Sequence, residues 1–204
     1  MSRVAHPGQR QIGRTQRLFV AVDPPDYARQ HLASYVADLH VAKAGARLAA
    51  PERWHVTVAF LGEVPDDRVV RVREALTAAA GGPSSNAMTL RFDGGGRFGG
   101  RAGTVIWAGV AGEVGRLRQL ARAVARELRH ARFSLDRKPY RPHLTIARPG
   151  VRVARDLLAE DVATLARYDG PDWPVSELHL VRSHLGPDPR HERVASFPLR
   201  SAAE

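Results

Sequence analysis

Trp54-His55-Val56-Thr57-Val58-Ala59-Phe60-Leu61 and Pro142-His143-Leu144-Thr145-Ile146-Ala147 carry one tripeptide, His-x-Thr, inside runs of apolar residues. Residues i and i+2 of a strand share a face. Each run therefore sets an imidazole beside a hydroxyl, with Val56, Val58, Leu144 and Ile146 turned the other way, toward a core. Nine His and seven Thr predict roughly 0.3 chance copies of so short a pattern in this chain. One copy would mean little. Two copies with the same apolar flanks, one in each half of the chain, point to two pairs facing each other. Two proton-transfer groups and two hydroxyl donors around one anion are the equipment for moving a phosphoester without a metal.

The chain around these strands alternates. Arg17 to Val22 reads as a buried strand, and Asp23-Pro24-Pro25 as an N-cap with prolines opening a helix. That helix places Ala28, Leu32, Tyr35 or Val36, and Leu39 on one face. After the first His-x-Thr strand, which ends at Gly62, comes a helix with Val69, Val72, Leu76 and Ala79 as its stripe. Met88 to Phe92 and Thr104 to Val110 read as strands. The glycine-rich run between them, Gly94 to Arg101, reads as a mobile connection or, alternatively, as a segment whose Arg97, Phe98 and Arg101 reach a substrate. It is not a phosphate-binding loop, because it lacks Gly-Lys-Ser/Thr and feeds a strand. Glu113 to His130 is the strongest helix signal, with Leu117, Leu120, Ala121, Val124 and Leu128 on one side and Arg116, Arg118, Arg122, Arg126 and Arg129 on the other. The second His-x-Thr strand follows, then a helix over Val153 to Tyr168. Strands at Val175 to Leu185 and Val194 to Leu199 close the chain. The alternation predicts two similar α+β lobes, each contributing one His-x-Thr strand.

Composition narrows the classes. At 204 residues the chain fits one domain or two small lobes sharing a core. With no Cys, disulfides, zinc-thiolate sites, iron–sulfur clusters and a Cys nucleophile are excluded, and a reducing, cytoplasmic setting is favoured. No apolar run approaches the ~20 residues of a membrane span. Residues 1–16 read as a flexible basic tail without the apolar segment of a secretory signal, residues 17–200 as the domain, and residues 201–204 as a short C-terminal tail. Lys+Arg is 31 against 21 Asp+Glu, which favours a polyanionic partner such as nucleic acid.

The stretches Leu18 to Pro25, His55 to Val64 and Pro142 to Arg148 together closely resemble the two-histidine (2H) phosphoesterase superfamily. Within it they resemble the RNA 2',3'-cyclic phosphodiesterases, also called the 2'-5' RNA ligase family. Val105 to Val110 and Phe197-Pro198-Leu199 fall where that family has similar strands, so the resemblance covers about residues 17–200. It implies a bilobal α+β fold, with pseudo-symmetric lobes, antiparallel sheets around a central cleft and helices outside. It implies no metal and no nucleotide cofactor. His55 and His143 become the acid–base pair, and Thr57 and Thr145 the phosphate-binding hydroxyls. Arg148 is placed to contact the terminal nucleotide, and Tyr140 and Arg141 are further candidates for gripping it. The chain departs from the family where Gly103-Thr104 replaces a Pro-Arg pair and where His191 stands near an expected Tyr.

The expected reaction is hydrolysis of RNA 2',3'-cyclic phosphate ends to 2'-phosphates by a monomer, with reversible 2'-5' ligation as a companion activity. Following the family, His55 serves as acid toward the 3' oxygen and His143 as base toward water. The sequence alone does not separate these roles. Two alternatives stand beside this reading: a phosphodiesterase for small cyclic nucleotides or ADP-ribose cyclic phosphate, and a non-catalytic RNA-binding protein using the same cleft. A metallophosphoesterase is disfavoured by the lack of His-Glu-x-x-His, and a serine hydrolase by the lack of Gly-x-Ser-x-Gly.

Overall fold

The computed structural model describes residues 14–99, 103–136, 138–150, 152–186 and 189–201. Its elements run β1 (Thr15–Val22), α1 (Asp26–Ala37), α2 (His40–Lys43), β2 (Arg47–Leu48), β3 (Val56–Pro65), α3 (Val69–Ala80), β4 (Met88–Phe98), β5 (Val105–Gly112), α4 (Val114–His130), β6 (His143–Arg148), α5 (Arg155–Leu165), β7 (Trp173–Val175), β8 (Glu177–His184) and β9 (Arg190–Pro198). Two sheets form, in the orders β3-β1-β8-β9 and β2-β6-β5-β4-β7, with every named strand pair antiparallel. This is the α+β architecture that the alternation predicts. Each sheet carries one His-x-Thr strand. The lobes are not the two halves of the chain, however: the first sheet joins β1 and β3 to the C-terminal β8 and β9, while the second collects the middle of the chain.

One core joins both sheets. Leu18, Val20, Val22, Val56, Leu144, Ile146, Leu178 and Leu180 are each fully buried or nearly so, and they pack with the apolar stripes of the helices. Burying a side chain of this type is worth about 1.5–3 kcal/mol, so the apolar parity of the strands sets which face turns inward. α4 presents Leu117, Leu120, Ala121, Val124 and Leu128 to that core. Its Arg118, Arg122, Arg126 and Arg129 are exposed, while Arg116 folds back on Glu113 at 3.2 Å. On the opposite side of the first sheet Phe19, Ala21 and Val181 form a small separate cluster.

Several expectations change. β1 begins at Thr15, two residues early, paired with Pro65; the rest of the expected tail, residues 1–13, lies outside the described residues, as do residues 202–204. Pro25, not Asp23, occupies the N-cap position of α1, and the Asp23 carboxylate instead accepts a bond from Arg193 at 2.9 Å. The expected closing strand splits into β7 and β8, and β9 starts at Arg190.

The glycine run is the largest difference. Gly95, Gly96, Arg97 and Phe98 continue β4 against β5, after a bulge that Gly94 accommodates with φ +63°. Only glycine fits at Gly96, where a Cβ would stand 2.6 Å from the Trp107 ring. The run is a seat for an indole, a tertiary fact that loop-like composition conceals. Arg101 lies outside the described residues.

Asp161 ties the helical layer together. Its side chain is 1% exposed, and its two carboxylate oxygens accept the His40 and Val41 amides of α2 at 2.7 and 2.9 Å. Those amides open a four-residue helix and have no intrahelical acceptors. Asp161→Ala is expected to cost about 2 kcal/mol by stranding two amides, with Asp161→Asn costing less. Denaturant midpoints at constant m-value check this.

Candidate active site

His55 immediately precedes β3, and His143 opens β6. Both rings are held by the same local device. His55 Nδ1 donates to the Arg53 carbonyl at 2.8 Å, and His143 Nδ1 donates to the Arg141 carbonyl at 2.7 Å. A carbonyl can only accept, so each Nδ1 carries the hydrogen and each Nε2 is left to exchange a proton. Thr57 and Thr145 follow two residues later, half-buried, with no hydrogen-bond partner for either hydroxyl among the described residues.

The four side chains line one cleft of about 540 Å³ between the sheets, together with Arg17, Arg47, Arg53, Phe60, Arg148 and His191. A smaller pocket of about 190 Å³ adjoins it through His55 and continues to Asp23, Arg29 and Arg193. Phe19 packs on the His55 ring at 4.7 Å, and His191 meets the same ring edge-on at 5.1 Å. Around His143 the wall is Phe98, at 4.9 Å edge-on, itself stacked on Trp107. Sequence reasoning missed Phe19, Phe60, Arg47, Arg53 and Trp107 as parts of this wall. Phe98 it reached only as a guess from a loop that is in fact a strand.

Bulges in both strands shape the rim. Leu18 pairs with Gly62, Phe19 with Phe60, Val20 with Ala59, and Ala21 with Thr57, so Leu61 is one extra residue of β3 and Val58, directly after Thr57, is another. In β6, Ile106 pairs with Ala147 and Trp107 with Thr145, so Ile146 is an extra residue directly after Thr145. Each bulge reverses the pleat. The third residue past each threonine, Phe60 and Arg148, therefore faces the cleft, where strict alternation would turn it away. This is the bend that a cleft-facing Arg148 requires.

Tyr140 and Arg141 are placed differently from the expectation that they grip a nucleotide. Tyr140 packs against the core near Arg118, with a buried hydroxyl that has no partner among the described residues, and burial drives its pKa up. The Arg141 side chain is exposed, and neither residue lines the cleft; Arg141 contributes its carbonyl. The remaining described histidines are engaged elsewhere: His31 with Tyr168, His40 with Glu160, His130 with Glu127, His179 with Ser196 and His184 with Glu192.

Burial holds His55 below the usual histidine pKa, and the nearby His143 adds to this. The Arg53 carbonyl and Asp23 pull the other way without prevailing. His191 is pushed down to about 4, first by burial, then by His55 and Arg53. A histidine with a depressed folded pKa takes up fewer protons than the unfolded chain, so it stabilises above ~6.5 and that stability is lost as pH falls toward the folded value. The melting temperature is expected to fall between about pH 6.5 and 4, and His191→Gln to flatten part of that fall. Thermal melts across this range check it, and identical pH profiles would refute the assignment.

Residues 23–187 match the model of the 2'-5' RNA ligase superfamily. The RNA 2',3'-cyclic phosphodiesterase of Geobacillus stearothermophilus is 33% identical over 187 residues, covering 91% of this chain and 58% of that protein. The chain thus spans little more than half the length of that relative. The Archaeoglobus fulgidus protein of the same name is 31% identical over 172 residues, covering 84% of this chain and 93% of the other. Among solved structures, a protein of Thermus thermophilus superposes with TM-score 0.74 at 28% identity, covering 91% of this chain and 99% of that one. LigT of E. coli in apo form gives 0.73 at 22% identity, covering 92% and 99%, a likeness of fold.

Proposed function

The chain belongs to the 2'-5' RNA ligase superfamily, and from that membership we propose that it opens RNA 2',3'-cyclic phosphates to 2'-phosphate ends through His55 and His143, without a metal. It is a hydrolase of the RNA 2',3'-cyclic phosphodiesterase kind, the activity for which its relatives are named. The observation that carries the finer reading is the matched pair of imidazoles. Both have Nδ1 tied to a carbonyl, and both line one cleft, where among the described residues neither Nε2 nor either threonine hydroxyl has a hydrogen-bond partner. Among the described residues no three His, Asp or Glu side chains converge in a group able to hold a metal.

In this reaction the His143 Nε2 takes a proton from water as the water oxygen bonds to phosphorus. The bond from phosphorus to the 3' oxygen breaks, and its electron pair receives a proton from His55 Nε2. Thr57 and Thr145 donate to the non-bridging oxygens, where charge builds. If the 5'-hydroxyl of a second RNA replaces water, the product is a 2'-5' linkage, which is the ligation reading. Burial lowers the His55 pKa in the free protein, and the anionic phosphate of a bound substrate opposes that effect and favours the protonated acid. The reading places the enzyme in the cytoplasm as a monomer acting on RNA ends. No described helix is long and apolar enough to cross a membrane.

Turnover of an RNA ending in a 2',3'-cyclic phosphate is expected to survive chelator treatment. His55→Ala and His143→Ala are each expected to slow the single-turnover rate by ~10²–10⁴ with an unchanged circular dichroism spectrum. Thr57→Ala and Thr145→Ala should cost less, since each removes one donor from a shared set. Loss of activity with chelator and its return with zinc would falsify the metal-free mechanism. His55 is also expected to titrate at higher pH with a bound 2'-nucleotide than without one. An NMR titration in which its pKa stays depressed in the complex would exchange the roles of the two histidines.

A further inference from the structure

Arg47 and Arg148 stand directly opposite each other in the β2–β6 ladder. Both are exposed, both line the cleft that holds the two His-x-Thr pairs, and neither has an ion-pair or hydrogen-bond partner among the described residues. Like charges on directly opposed strand positions destabilise a sheet. β2 is only two residues long, an edge strand held by the pairs Arg47–Arg148 and Leu48–Ala147, with Ala49 N donating to the Ile146 carbonyl at 2.8 Å. A charge on an edge strand can serve to block unwanted pairing, but one charge suffices for that. Two facing guanidiniums weaken the short ladder unless an anion lies between them. The bulge at Ile146 is what brings Arg148 onto the His-x-Thr face beside Arg47.

Resting on the phosphodiesterase reading above, we propose that Arg47 and Arg148 form a second phosphate subsite, which takes the phosphate on the 5' side of the terminal nucleoside while the cyclic phosphate sits between the histidines. Arg148 lies three residues beyond Thr145 but only two ladder steps along the strand, because Ile146 is extra, which is roughly 7 Å at ~3.3 Å per step. That places the pair one nucleoside away from the reacting phosphorus rather than on it. Guanidinium forks suit such a phosphate, since two of them can bind its oxygens without competing for the same edge. The subsite makes the preferred substrate one with at least one further phosphate, an RNA 3' end rather than a bare cyclic nucleoside monophosphate. A 5'-phosphorylated mononucleotide offers the same chemistry from a small-molecule source.

The test uses three products with a 2'-phosphate end: a nucleoside carrying no 5'-phosphate, the same nucleoside with a 5'-phosphate, and a dinucleotide. Calorimetric affinities are measured for wild type, Arg47→Ala and Arg47→Lys. The dinucleotide is expected to bind wild type about tenfold more tightly than the bare nucleoside 2'-phosphate. Arg47→Ala should bring that ratio close to one and lower the salt dependence, while Arg47→Lys restores part of both. A gain for the 5'-phosphorylated mononucleotide equal to that for the dinucleotide supports the subsite and assigns it to phosphate charge. A larger gain for the dinucleotide supports it as an RNA site. A wild-type ratio near one, or a ratio unchanged in Arg47→Ala, would overturn the proposal. Turnover of the matching cyclic phosphates is read separately. Affinity discrimination without turnover would keep the subsite and remove the phosphodiesterase reading, and turnover without discrimination would do the reverse.

Discussion

The pleat of β3 and β6 is the constraint from which the cleft follows. A strand commits alternate side chains to opposite faces, and here one face must be apolar to join the core. With Val56, Leu144 and Ile146 buried, His and Thr two residues apart have no other place than the open side. The bulges at Val58 and Ile146 then break the alternation at the same point in both strands. A bulge leaves its extra residue unpaired, so each one carries a local cost in the ladder. In return each brings a further side chain, Phe60 or Arg148, onto the reactive face.

Ring orientation comes from the residues just before each strand rather than from the strands. The Nδ1 bonds to Arg53 and Arg141 carbonyls are short-range, and both span two residues, so each imidazole carries its own alignment. The electrostatic setting is the reverse of local. His55 is influenced by Asp23, at the end of β1, and by His143 from the other sheet. His191 arrives from β9 to close the third side of His55 against Phe19. Arg17 leans over the Phe60 ring at 4.8 Å, so even the apolar lip of the cleft is edged with positive charge. With Arg17, Arg47, Arg53 and Arg148 along its lining, the cleft is suited to receiving a phosphate rather than to holding a cation.

The sheets interleave the chain, and this ties the site to global folding. The first sheet is not complete until β8 and β9 have paired, because β1 sits between β3 and β8. Phe19, under the His55 ring, pairs with Phe60 on one side and Val181 on the other. On the second sheet the Trp107 indole needs Gly96 beneath it before Phe98 can stack on it and present its edge to His143. Site geometry on both sheets thus depends on contacts between segments that are distant in sequence.

The sequence by itself determined the class of fold, the placement of most helices and strands, and the pairing of each His with its Thr. All of these rest on short-range periodicity: period 2 in the strands, and an apolar stripe in α4 so regular that its expected limits, Glu113 to His130, differ from the observed helix by one residue. What only the tertiary structure decided is where periodicity is broken or where partners are remote. Strict alternation sends Arg148 away from the cleft, and the Ile146 bulge exists only because β6 pairs with β5. Glycines that read as a loop form a strand, because the reason for them is an indole on a neighbouring strand. Tyr140 was drawn into the candidate site by its nearness to His143 in sequence, yet its ring packs against the core. Arg47 carried no local signal at all: an arginine in a two-residue edge strand acquires meaning only from the arginine that the fold sets opposite it.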